Sequence, residues 1–203
     1  MKGLSILVVA ALALVTLPLS AASSTSTKEN LLAAFQGESN AHARYVAFAT
    51  KADQEGYGRV ASLFRAAARS EEIHAKNHAD VLKKIGVEAK AELKAADVKS
   101  TRENLKAALE GETYERDTMY PQFLVKARQD GNRAAIETFN MAKMAEAEHA
   151  KLYTAALAGL DAAKGSASEP LYVCTVCGYT TTKIDFEKCP ACFNPKDRYV
   201  KVG

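Results

Sequence analysis

Residues 64–76 read FRAAARSEEIHAK and residues 139–151 read FNMAKMAEAEHAK, so one segment of the chain occurs twice at an offset of 75 residues. Each copy contains a glutamate followed three positions later by a histidine. The matched pairs are Glu71 with Glu146 and His74 with His149. Residues three apart lie on the same side of an α-helix, so the repeat predicts two equivalent helices that each present a Glu-x-x-His pair.

A second repeat extends this equivalence upstream. TKENLLAAFQGE at residues 27–38 matches TRENLKAALEGE at residues 101–112, at an offset of 74. Ala, Leu, Lys and Glu dominate residues 28–160, a balance that favours helix over strand. The period is longer than the units of common solenoids, and it predicts two helical hairpins that pack as a four-helix bundle.

Turn signals place the boundaries of the four predicted helices. The segments GYG at 56–58 and DGN at 130–132, together with Gly86, interrupt the helical pattern. Residues 87–98 form a longer connection. The first predicted helix runs from Ser26 or Thr27 to about Glu55, and the second from about Arg59 to Ile85. The third runs from Ser100 or Thr101 to about Gln129, and a fourth follows the turn at 130–132 and ends at about Leu160. Pro121 lies inside the third helix, where we expect a kink.

Length and charge narrow the classes of function. A chain of 203 residues, 48% hydrophobic and 25% charged, can bury one good core and carry a small appendage. A formal net charge of +3, without a basic run that contains aromatic residues, argues against nucleic acid as a partner.

The first 22 residues have the form of a secretory signal peptide. Lys2 precedes a mostly apolar run from Leu4 to Leu19, and the small residues after it match a cleavage site of the A-x-A type. The run is shorter than the ~20 residues of a membrane-spanning helix. We therefore expect cleavage, export to the periplasm and no stable membrane span, with an uncleaved membrane anchor as the alternative.

Carboxylates from the first and third helices complete a predicted metal site. One Glu from each of two helices, with a Glu-x-x-His pair from each of the other two, is the ligand set of di-iron and di-manganese sites in four-helix bundles. Carboxylate oxygens with a few imidazoles suit iron or manganese, whereas structural zinc takes more thiolate. The predicted ligands are Glu38, Glu71, His74, Glu112, Glu146 and His149.

Other polar residues on these helices lie off the predicted ligand face. The carboxylates that we expect to be solvated are Glu72, Glu110, Asp117 and Glu148. His42 and His78 have no histidine counterpart in the other half, where Arg116 and Tyr153 stand. We expect both histidines to lie at the surface or just behind the ligands.

The chain changes character after a polar linker at residues 161–170. Two Cys-x-x-Cys pairs follow, eleven residues apart, at Cys174, Cys177, Cys189 and Cys192. Two such loops supply four thiolates to one metal, iron or zinc, and the alternating segment PLYVCTVCGYTTT predicts a small antiparallel sheet. Two disulfides are the alternative in an exported chain. A metal is favoured because a sheet of about thirty residues buries too little apolar surface to be stable without a cross-link at its centre.

Together these motifs resemble the rubrerythrin family. GESNAHARY at 37–45, EEIHAKNH at 71–78, GETYERDTMYPQF at 111–123 and AEAEHAKLY at 145–153 resemble its ligand helices, and residues 171–201 resemble its rubredoxin-like tail. The resemblance implies a mainly α fold. It consists of a ferritin-like four-helix bundle at residues 23–160 and a small C-terminal β-rich rubredoxin-like metal domain at residues 171–203.

The resemblance also implies a function and a wider ligand set. It implies a non-haem di-iron peroxidase that reduces hydrogen peroxide to water and protects against oxidative stress, with electrons delivered through an iron held by the four cysteines. By resemblance, Glu115 is a further iron ligand and exchanges with His74 when the oxidation state of one iron changes. Tyr45 and Tyr120 match family tyrosines that hydrogen-bond near the di-iron ligands.

Two other functions stay open from the sequence. A ferroxidase or iron-handling relative would use dioxygen as its oxidant. A non-enzymatic metal-binding module would hold structural zinc between the cysteines. Phe193 bears on whether this metal is iron or zinc, because the family usually has Gly after the fourth cysteine.

The partners follow from the same reasoning. An exported peroxidase requires an electron-donor redox protein outside the cytosol. A flexible linker is expected to leave the tail far from its own di-iron site, which favours electron transfer between subunits. The resemblance to the rubrerythrin family implies a head-to-tail homodimer, which is consistent with this transfer.

Overall fold

The fold of residues 25–203, described by a computed structural model, is mainly helical. The helices are α1 (Thr27–Gln54), α2 (Gly58–Lys84), α3 (Thr101–Tyr114), α4 (Tyr120–Gln129) and α5 (Arg133–Ala158), and a π-helical segment (Glu115–Met119) joins α3 to α4. The predicted helical bundle is confirmed. The predicted signal peptide at residues 1–22 lies outside the described residues. Within residues 25–203, no helix combines the length and apolar character needed to cross a membrane.

The internal repeat is visible in how the two hairpins begin. Ser26 and Ser100 precede α1 and α3, and each side chain accepts a hydrogen bond from the backbone N–H three residues later. The glutamates at those later positions, Glu29 and Glu103, accept in return from the backbone N–H of the serines. This reciprocal capping box satisfies amide groups that have no partner within the helix, and it fixes the start of each hairpin.

The third helical segment contains one residue more than the first. Glu38 and Glu112 are 74 positions apart, whereas the turn glycines Gly56 and Gly131 are 75 apart. The π-helical segment lies inside the interval where the offset changes, and a π turn accommodates one extra residue in a helix. Pro121 occupies the first turn of α4, where a missing N–H is tolerated. The structure therefore has a π interruption directly before Pro121, and the predicted kink stays a prediction.

Two apolar clusters fill the bundle and enclose a polar layer. One contains the aromatic rings of Tyr45, Phe48, Phe64 and Tyr153. The other contains Leu31, Leu82, Leu124 and Phe139. Along α1, Ala34 belongs to the second cluster and Ala41 to the first, with the buried Glu38 between them. The clusters thus exclude water from both sides of the layer that holds the predicted ligands.

The C-terminal region forms a three-stranded antiparallel sheet. Its strands are β1 (Leu171–Cys174), β2 (Thr180–Thr181) and β3 (Tyr199–Val202), in the order β2-β1-β3. Tyr172 of the central strand pairs with Thr181 on one side and Lys201 on the other. The predicted small antiparallel sheet is therefore present, and the first cysteine ends its central strand.

The linker is fastened to the turn between α1 and α2. The N–H of Gly165 donates to the carbonyl of Gly56 at 2.8 Å, and the N–H of Gly58 donates to the carbonyl of Ser166 at 3.2 Å. A Cβ on Gly58 would lie 2.5 Å from that Ser166 oxygen, so the approach requires glycine. The expectation of a flexible linker that leaves the tail far away is wrong, because the sheet packs against α2 of the same chain.

Candidate metal centres

Ligand atoms from four helical segments converge into two overlapping groups. The first group is Glu38, Glu71, His74 and Glu146, and the second is Glu71, Glu112, Glu146 and His149. Within each group the ligand atoms lie within 4.8 Å of one another. Glu71 and Glu146 belong to both groups. Two shared carboxylates between two ligand sets are the arrangement needed to bridge a pair of cations.

The two histidines turn the same ring nitrogen toward the carboxylates. His74 Nδ1 lies 2.8 Å from Glu71 Oε2 and 2.9 Å from Glu146 Oε1. His149 Nδ1 lies 2.9 Å from Glu146 Oε2 and 3.4 Å from Glu112 Oε2. Each histidine sits three residues after a glutamate of its own helix, so one helical turn places the imidazole and the carboxylate on the same cation.

Buried polar atoms without hydrogen-bond partners show that these residues fit metal ions. The four glutamates and two histidines of the groups are at most 1% exposed. Among the described residues, the short approaches of the histidine Nδ1 atoms to Glu146 do not have hydrogen-bond geometry. The atoms left without a hydrogen bond are Glu38 Oε2, Glu71 Oε1, Glu112 Oε2, Glu146 Oε1, Glu146 Oε2 and His149 Nδ1. Buried polar atoms are normally paired, and buried charge requires compensation. Two divalent cations would balance the charge of the four carboxylates, so the donor set suits a dinuclear iron centre.

Without metal charge, the cluster holds protons. Burial, reinforced by the Glu71 carboxylate, raises the pKa of Glu112 to about 8. Burial together with Glu71 and Glu146 raises the pKa of Glu38 well above its usual range. Burial alone would lower the pKa of His74, but Glu146 and Glu71 outweigh it and the pKa rises. Metal ions that enter this site must therefore displace protons.

Two tyrosines connect the halves of the bundle crosswise. Tyr45 donates a hydrogen bond from Oη to Glu112 Oε1 at 2.6 Å, and Tyr120 donates from Oη to Glu38 Oε1. Both rings are at most 1% exposed. Each tyrosine thus holds one oxygen of a carboxylate from the other half, while the second oxygen of that carboxylate has no hydrogen-bond partner. Such contacts orient a ligand carboxylate. Their predicted catalytic role remains a prediction.

Glu115 is the one residue of the predicted ligand set that lies outside both groups. It is the first residue of the π-helical segment, and its side chain lines an open cleft of about 910 Å³ between α1, the residues before α3, and α3 itself. Burial and the nearby Glu38 and Glu112 carboxylates raise its pKa well above the usual range. The structure thus has His74, not Glu115, within the ligand groups.

The remaining predictions about polar residues have mixed outcomes. Glu72, Glu110 and Asp117 are exposed as predicted, whereas Glu148 is half-buried. His42 is half-buried, and its Nδ1 contacts the carbonyl oxygen of Ala68 at 2.8 Å.

His78 lies just behind the ligands, which is one of the two places that the sequence predicts for it. It is fully buried, and its Nε2 lies 3.0 Å from Tyr120 Oη. Burial, aided by His74, lowers its pKa to about 3. His78 follows His74 by four residues, so both lie on the same face of α2, and this spacing is the sequence signal for its place behind the ligands.

The four cysteines form a second, separate cluster. All are free thiols, and their ligand atoms lie within 4.8 Å of one another. The Sγ atoms of Cys174 and Cys192 are 3.8 Å apart, and those of Cys177 and Cys189 are 3.5 Å apart. A tetrahedron with metal–sulfur bonds of about 2.3 Å has edges of about 3.8 Å. The geometry therefore fits one tetrahedral metal, and the disulfide alternative is wrong.

The residues that follow the second and fourth cysteines both have positive φ. Gly178, after the second cysteine, has φ 79°, a conformation that glycine adopts freely. Phe193 occupies the equivalent place after the fourth cysteine with φ 58°, and its side chain is 72% exposed. An L-residue in this region costs roughly 1–2 kcal/mol. Phe193 therefore keeps the glycine conformation at an energetic cost.

The cysteine loop touches both metal-facing histidines on their outer edge. His74 Nε2 donates to the carbonyl oxygen of Cys177 at 3.0 Å. Thr180 Oγ1 donates to the carbonyl of Gly178, and it can therefore accept from His149 Nε2 at 3.1 Å. A proton on Nε2 leaves Nδ1 free to face the carboxylates and a metal. With metal at Nδ1, these contacts from the second domain would keep the remaining ring proton of each imidazole on Nε2.

Comparison with known proteins identifies the family. The family model named Rubrerythrin matches residues 29–157, which is more than half of the chain. The chain belongs to the rubrerythrin family. Among curated relatives it is 42% identical to nigerythrin from Nitratidesulfovibrio vulgaris strain Hildenborough, over 86% of this chain and 85% of that protein. It is 37% identical to rubrerythrin from Porphyromonas gingivalis, over 85% of this chain and 88% of that protein.

Solved structures agree with this family assignment. Nigerythrin in its fully reduced, all-ferrous state superposes with a TM-score of 0.81 at 40% identity, over 91% of this chain and 90% of that one. A bacterioferritin from Desulfovibrio desulfuricans, with a TM-score of 0.63 at 22% identity, covers 70% of this chain and 88% of its own and shares the fold alone. The ferritin-like bundle with its small cysteine-bearing sheet, the di-iron site candidate and the four-cysteine cluster are therefore established features. At the coarse level, the rubrerythrin and nigerythrin relatives make the chain a di-iron oxidoreductase of oxidative-stress defence.

The predicted export to the periplasm is wrong, and so is its alternative of an N-terminal membrane anchor. The likeness to nigerythrin extends over 86% of the chain and gives no support to an exported protein. The residues on which the prediction rested lie outside the described part of the chain. The predicted electron donor outside the cytosol is no longer required, because that requirement rested on export.

Proposed function

We propose that this rubrerythrin-family protein is a peroxidase that reduces hydrogen peroxide to water at a di-iron centre. The observation that carries the proposal is the pair of buried ligand groups that share Glu71 and Glu146. Two ferrous ions held there would supply both electrons that cleavage of the oxygen–oxygen bond requires. The balance is one peroxide, two electrons and two protons giving two water molecules.

The residues of the chain have distinct tasks in this proposal. Six side chains would hold the irons, namely Glu38, Glu71, His74, Glu112, Glu146 and His149. Tyr45 and Tyr120 orient two of the carboxylates through their hydroxyl groups. The apolar clusters on either side of the ligand layer exclude bulk water, which strengthens electrostatic interactions inside the site.

The open cleft beside Glu115 supplies a route by which a small oxidant reaches the site. Its polar lining is suited to a hydrogen-bonding solute such as peroxide and includes Gln36, Asn40, Arg44, Lys94, Lys106 and Glu115. Glu115 lies at the boundary between this cleft and the ligand groups. We propose that the Glu115 carboxylate would be available to replace His74 as a ligand to an oxidised iron, since an anionic oxygen favours the ferric ion.

Electron delivery within one chain is supported by the contact between the two centres. The hydrogen bond from His74 Nε2 to the Cys177 carbonyl joins a proposed iron ligand to the backbone of a cysteine ligand. We propose that an electron-donor redox protein reduces iron at the four cysteines and that this contact forms the path onward. A homodimer, which the resemblance implies, is not required for this path.

Mixed subunits test the route of electron transfer. Subunits with Cys174→Ser are combined with subunits with Glu71→Ala, so that each lacks one centre. We expect no recovered turnover of peroxide with the donor, because each chain needs both of its own centres. Recovered turnover in the mixture would show transfer between subunits of a head-to-tail dimer and would contradict delivery within one chain.

A comparison of oxidants tests the peroxidase function itself. The full chain is loaded with iron, reduced under anaerobic conditions, and mixed separately with hydrogen peroxide and with dioxygen while the ferric absorbance is followed. We expect peroxide to reoxidise the centre much faster. Faster reaction with dioxygen, with uptake of added ferrous iron, would instead support the ferroxidase alternative. A visible spectrum separates ferric thiolate from zinc at the four cysteines, because zinc does not absorb there.

A further inference from the structure

Within residues 25–203, a hydrogen-bonded chain of side chains leads away from the Glu38 side of the ligand layer. Tyr120 Oη donates to Glu38 Oε1, His78 Nε2 lies 3.0 Å from Tyr120 Oη, and Thr138 Oγ1 lies 3.0 Å from His78 Nδ1. The first three residues are fully buried, and Thr138 is 3% exposed. Four residues from helices α1, α4, α2 and α5 are therefore connected without a gap.

The direction of this chain follows from its end at a carboxylate. An ionised Glu38 can only accept, so Tyr120 donates to it, and the tyrosine oxygen is then free to accept from His78. His78 must carry its proton on Nε2, which leaves Nδ1 as an acceptor for the hydroxyl proton of Thr138. No carboxylate contacts His78 in these hydrogen bonds, so an uncharged imidazole satisfies both partners. All three donors point toward the iron ligands.

The equivalent position in the other half lacks such a chain. Tyr153 is the repeat counterpart of His78, and its Oη is buried without a hydrogen-bond partner. Its ring packs edge-on against Tyr45, whose hydroxyl donates to Glu112. The two halves therefore orient their carboxylates alike, but only the half with His78 continues the hydrogen bonds beyond the tyrosine.

We propose that Thr138, His78 and Tyr120 form a proton relay that feeds the Glu38 side of the site. The inference rests on the proposed peroxidase function, because reduction of one peroxide consumes two protons. In one transfer, the Tyr120 hydroxyl proton moves into the site, the His78 Nε2 proton moves to Tyr120, and the Thr138 hydroxyl proton moves to His78 Nδ1. The relay requires Thr138, which is 3% exposed, to take a replacement proton from solvent. One proton has then crossed and no net charge remains on the three residues. The relay also requires the His78 ring to turn, so that its proton faces Tyr120 again, before a second proton can pass.

Substitutions of His78 and Thr138 separate relay from simple positioning. The glutamine of His78→Gln offers an oxygen to Thr138 and an N–H to Tyr120, yet an amide passes protons poorly. Thr138→Val keeps the shape and removes the outer donor. In both variants we expect reoxidation of the reduced, iron-loaded protein by peroxide to slow at least about tenfold, with a larger solvent isotope effect. Tyr153→Phe, which removes an unpartnered hydroxyl, is the matched control.

The outcomes decide the relay separately from the peroxidase function. If His78→Gln and Thr138→Val react at the wild-type rate with two irons bound, the relay is overturned. If wild-type protein fails to react with peroxide, the proposed function is overturned. A second readout does not depend on activity: nitrogen shifts of the His78 ring, by NMR on the zinc-loaded full chain, should show the proton on Nε2. A proton on Nδ1 would reverse the donor order and overturn the relay.

Discussion

The Nε2 atom of His74 lies 3.0 Å from the carbonyl oxygen of Cys177, so an imidazole of the di-iron site candidate contacts the loop that carries the second cysteine. Two neighbouring contacts support this one. Ser70 Oγ donates to the carbonyl of Gly178 at 2.7 Å, and Asn77 Nδ2 donates to the carbonyl of Val176 at 2.9 Å. Three side chains of α2 therefore hold three consecutive carbonyl groups of the cysteine loop.

A methyl group at Gly178 should separate the two centres. A Cβ there would lie 2.4 Å from both His74 Nε2 and Ser70 Oγ, and its φ of 79° disfavours other residues. In Gly178→Ala we expect the four-cysteine site to keep its visible spectrum while donor-driven reduction of the di-iron site slows at least about tenfold, or about 1.4 kcal/mol. Stopped-flow measurements of the two reductions check this.

Gly86→Ala is the matched control for that substitution. Gly86 has φ 78°, nearly the same backbone conformation, but no atom lies within 4 Å of the position of its added Cβ. It therefore reports the backbone penalty without the steric clash. Equal slowing in the two variants would show that strain, and not loss of the His74 contact, causes the effect.

Glu115 should matter for oxidation and not for metal retention. Because it lies outside both ligand groups, Glu115→Ala leaves six ligands in place. We expect two bound metals and reoxidation by peroxide that is roughly tenfold slower, or about 1.4 kcal/mol. Metal analysis and stopped-flow absorbance give the two values. Glu110→Ala is the control, because it removes an exposed carboxylate that lines the same cleft. Identical kinetics in the wild type and both variants would show that Glu115 has no role in oxidation.

The stability of the metal-free protein should fall as pH rises through neutrality. The pKa of Glu112 is about 8 in the folded chain against a usual value of 4.5, so its protonated form stabilises the fold at low pH. That contribution is lost as pH rises from about 4.5 through about 8. The raised pKa values of Glu38, His74 and His149 act in the same direction.

Thermal unfolding at several pH values checks this dependence. We expect the melting temperature of the metal-free chain to be lower at pH 8 than at pH 5. We also expect metal loading at pH 7 to release protons, which calorimetry in buffers of different ionisation enthalpy measures. A metal-free chain that is more stable at pH 8 than at pH 5 would contradict the assignment of protons to this cluster.

Glycine in place of Phe193 should stabilise the four-cysteine domain. Phe193 has φ 58° and a mostly exposed side chain, so Phe193→Gly relieves backbone strain and removes little buried surface. We expect a gain of about 1 kcal/mol in the free energy of unfolding of this domain, measured as resistance of the metal–thiolate absorbance to denaturant. Phe193→Ala keeps a Cβ at positive φ, so an equal gain in that variant would exclude strain as the cause.

Much of the fold and the ligand clusters could be predicted from the sequence because their signals are periodic. Glu71 with His74 and Glu146 with His149 are one helical turn apart, and the repeat pairs Glu38 with Glu112. The turn glycines and capping serines set the helix ends to within a few residues. Helical spacing and cysteine spacing are local properties, which a sequence states directly.

The contacts that the sequence did not reveal are long-range. Gly178 lies next to His74 in a tail that long-range contacts hold, among them the approach of the Ser166 carbonyl to Gly58, which fastens the linker to the α1–α2 turn. The expected free linker therefore led to a wrong position for the tail. The hydrogen bonds of His78 could not be predicted for a related reason. Its partners, Tyr120 and Thr138, come from other helices, and spacing along α2 alone does not identify them.

The π-helical segment lies where the offset between the two halves of the repeat changes. Up to Glu112 the second hairpin copies the first at one offset, and beyond the segment it copies it at an offset one residue larger. One residue more in the second half accounts for both offsets. The change of offset lies close to Glu115, whose counterpart in the first half is Ala41. The extra residue thus coincides with the place where the two halves of the repeat differ in their carboxylates.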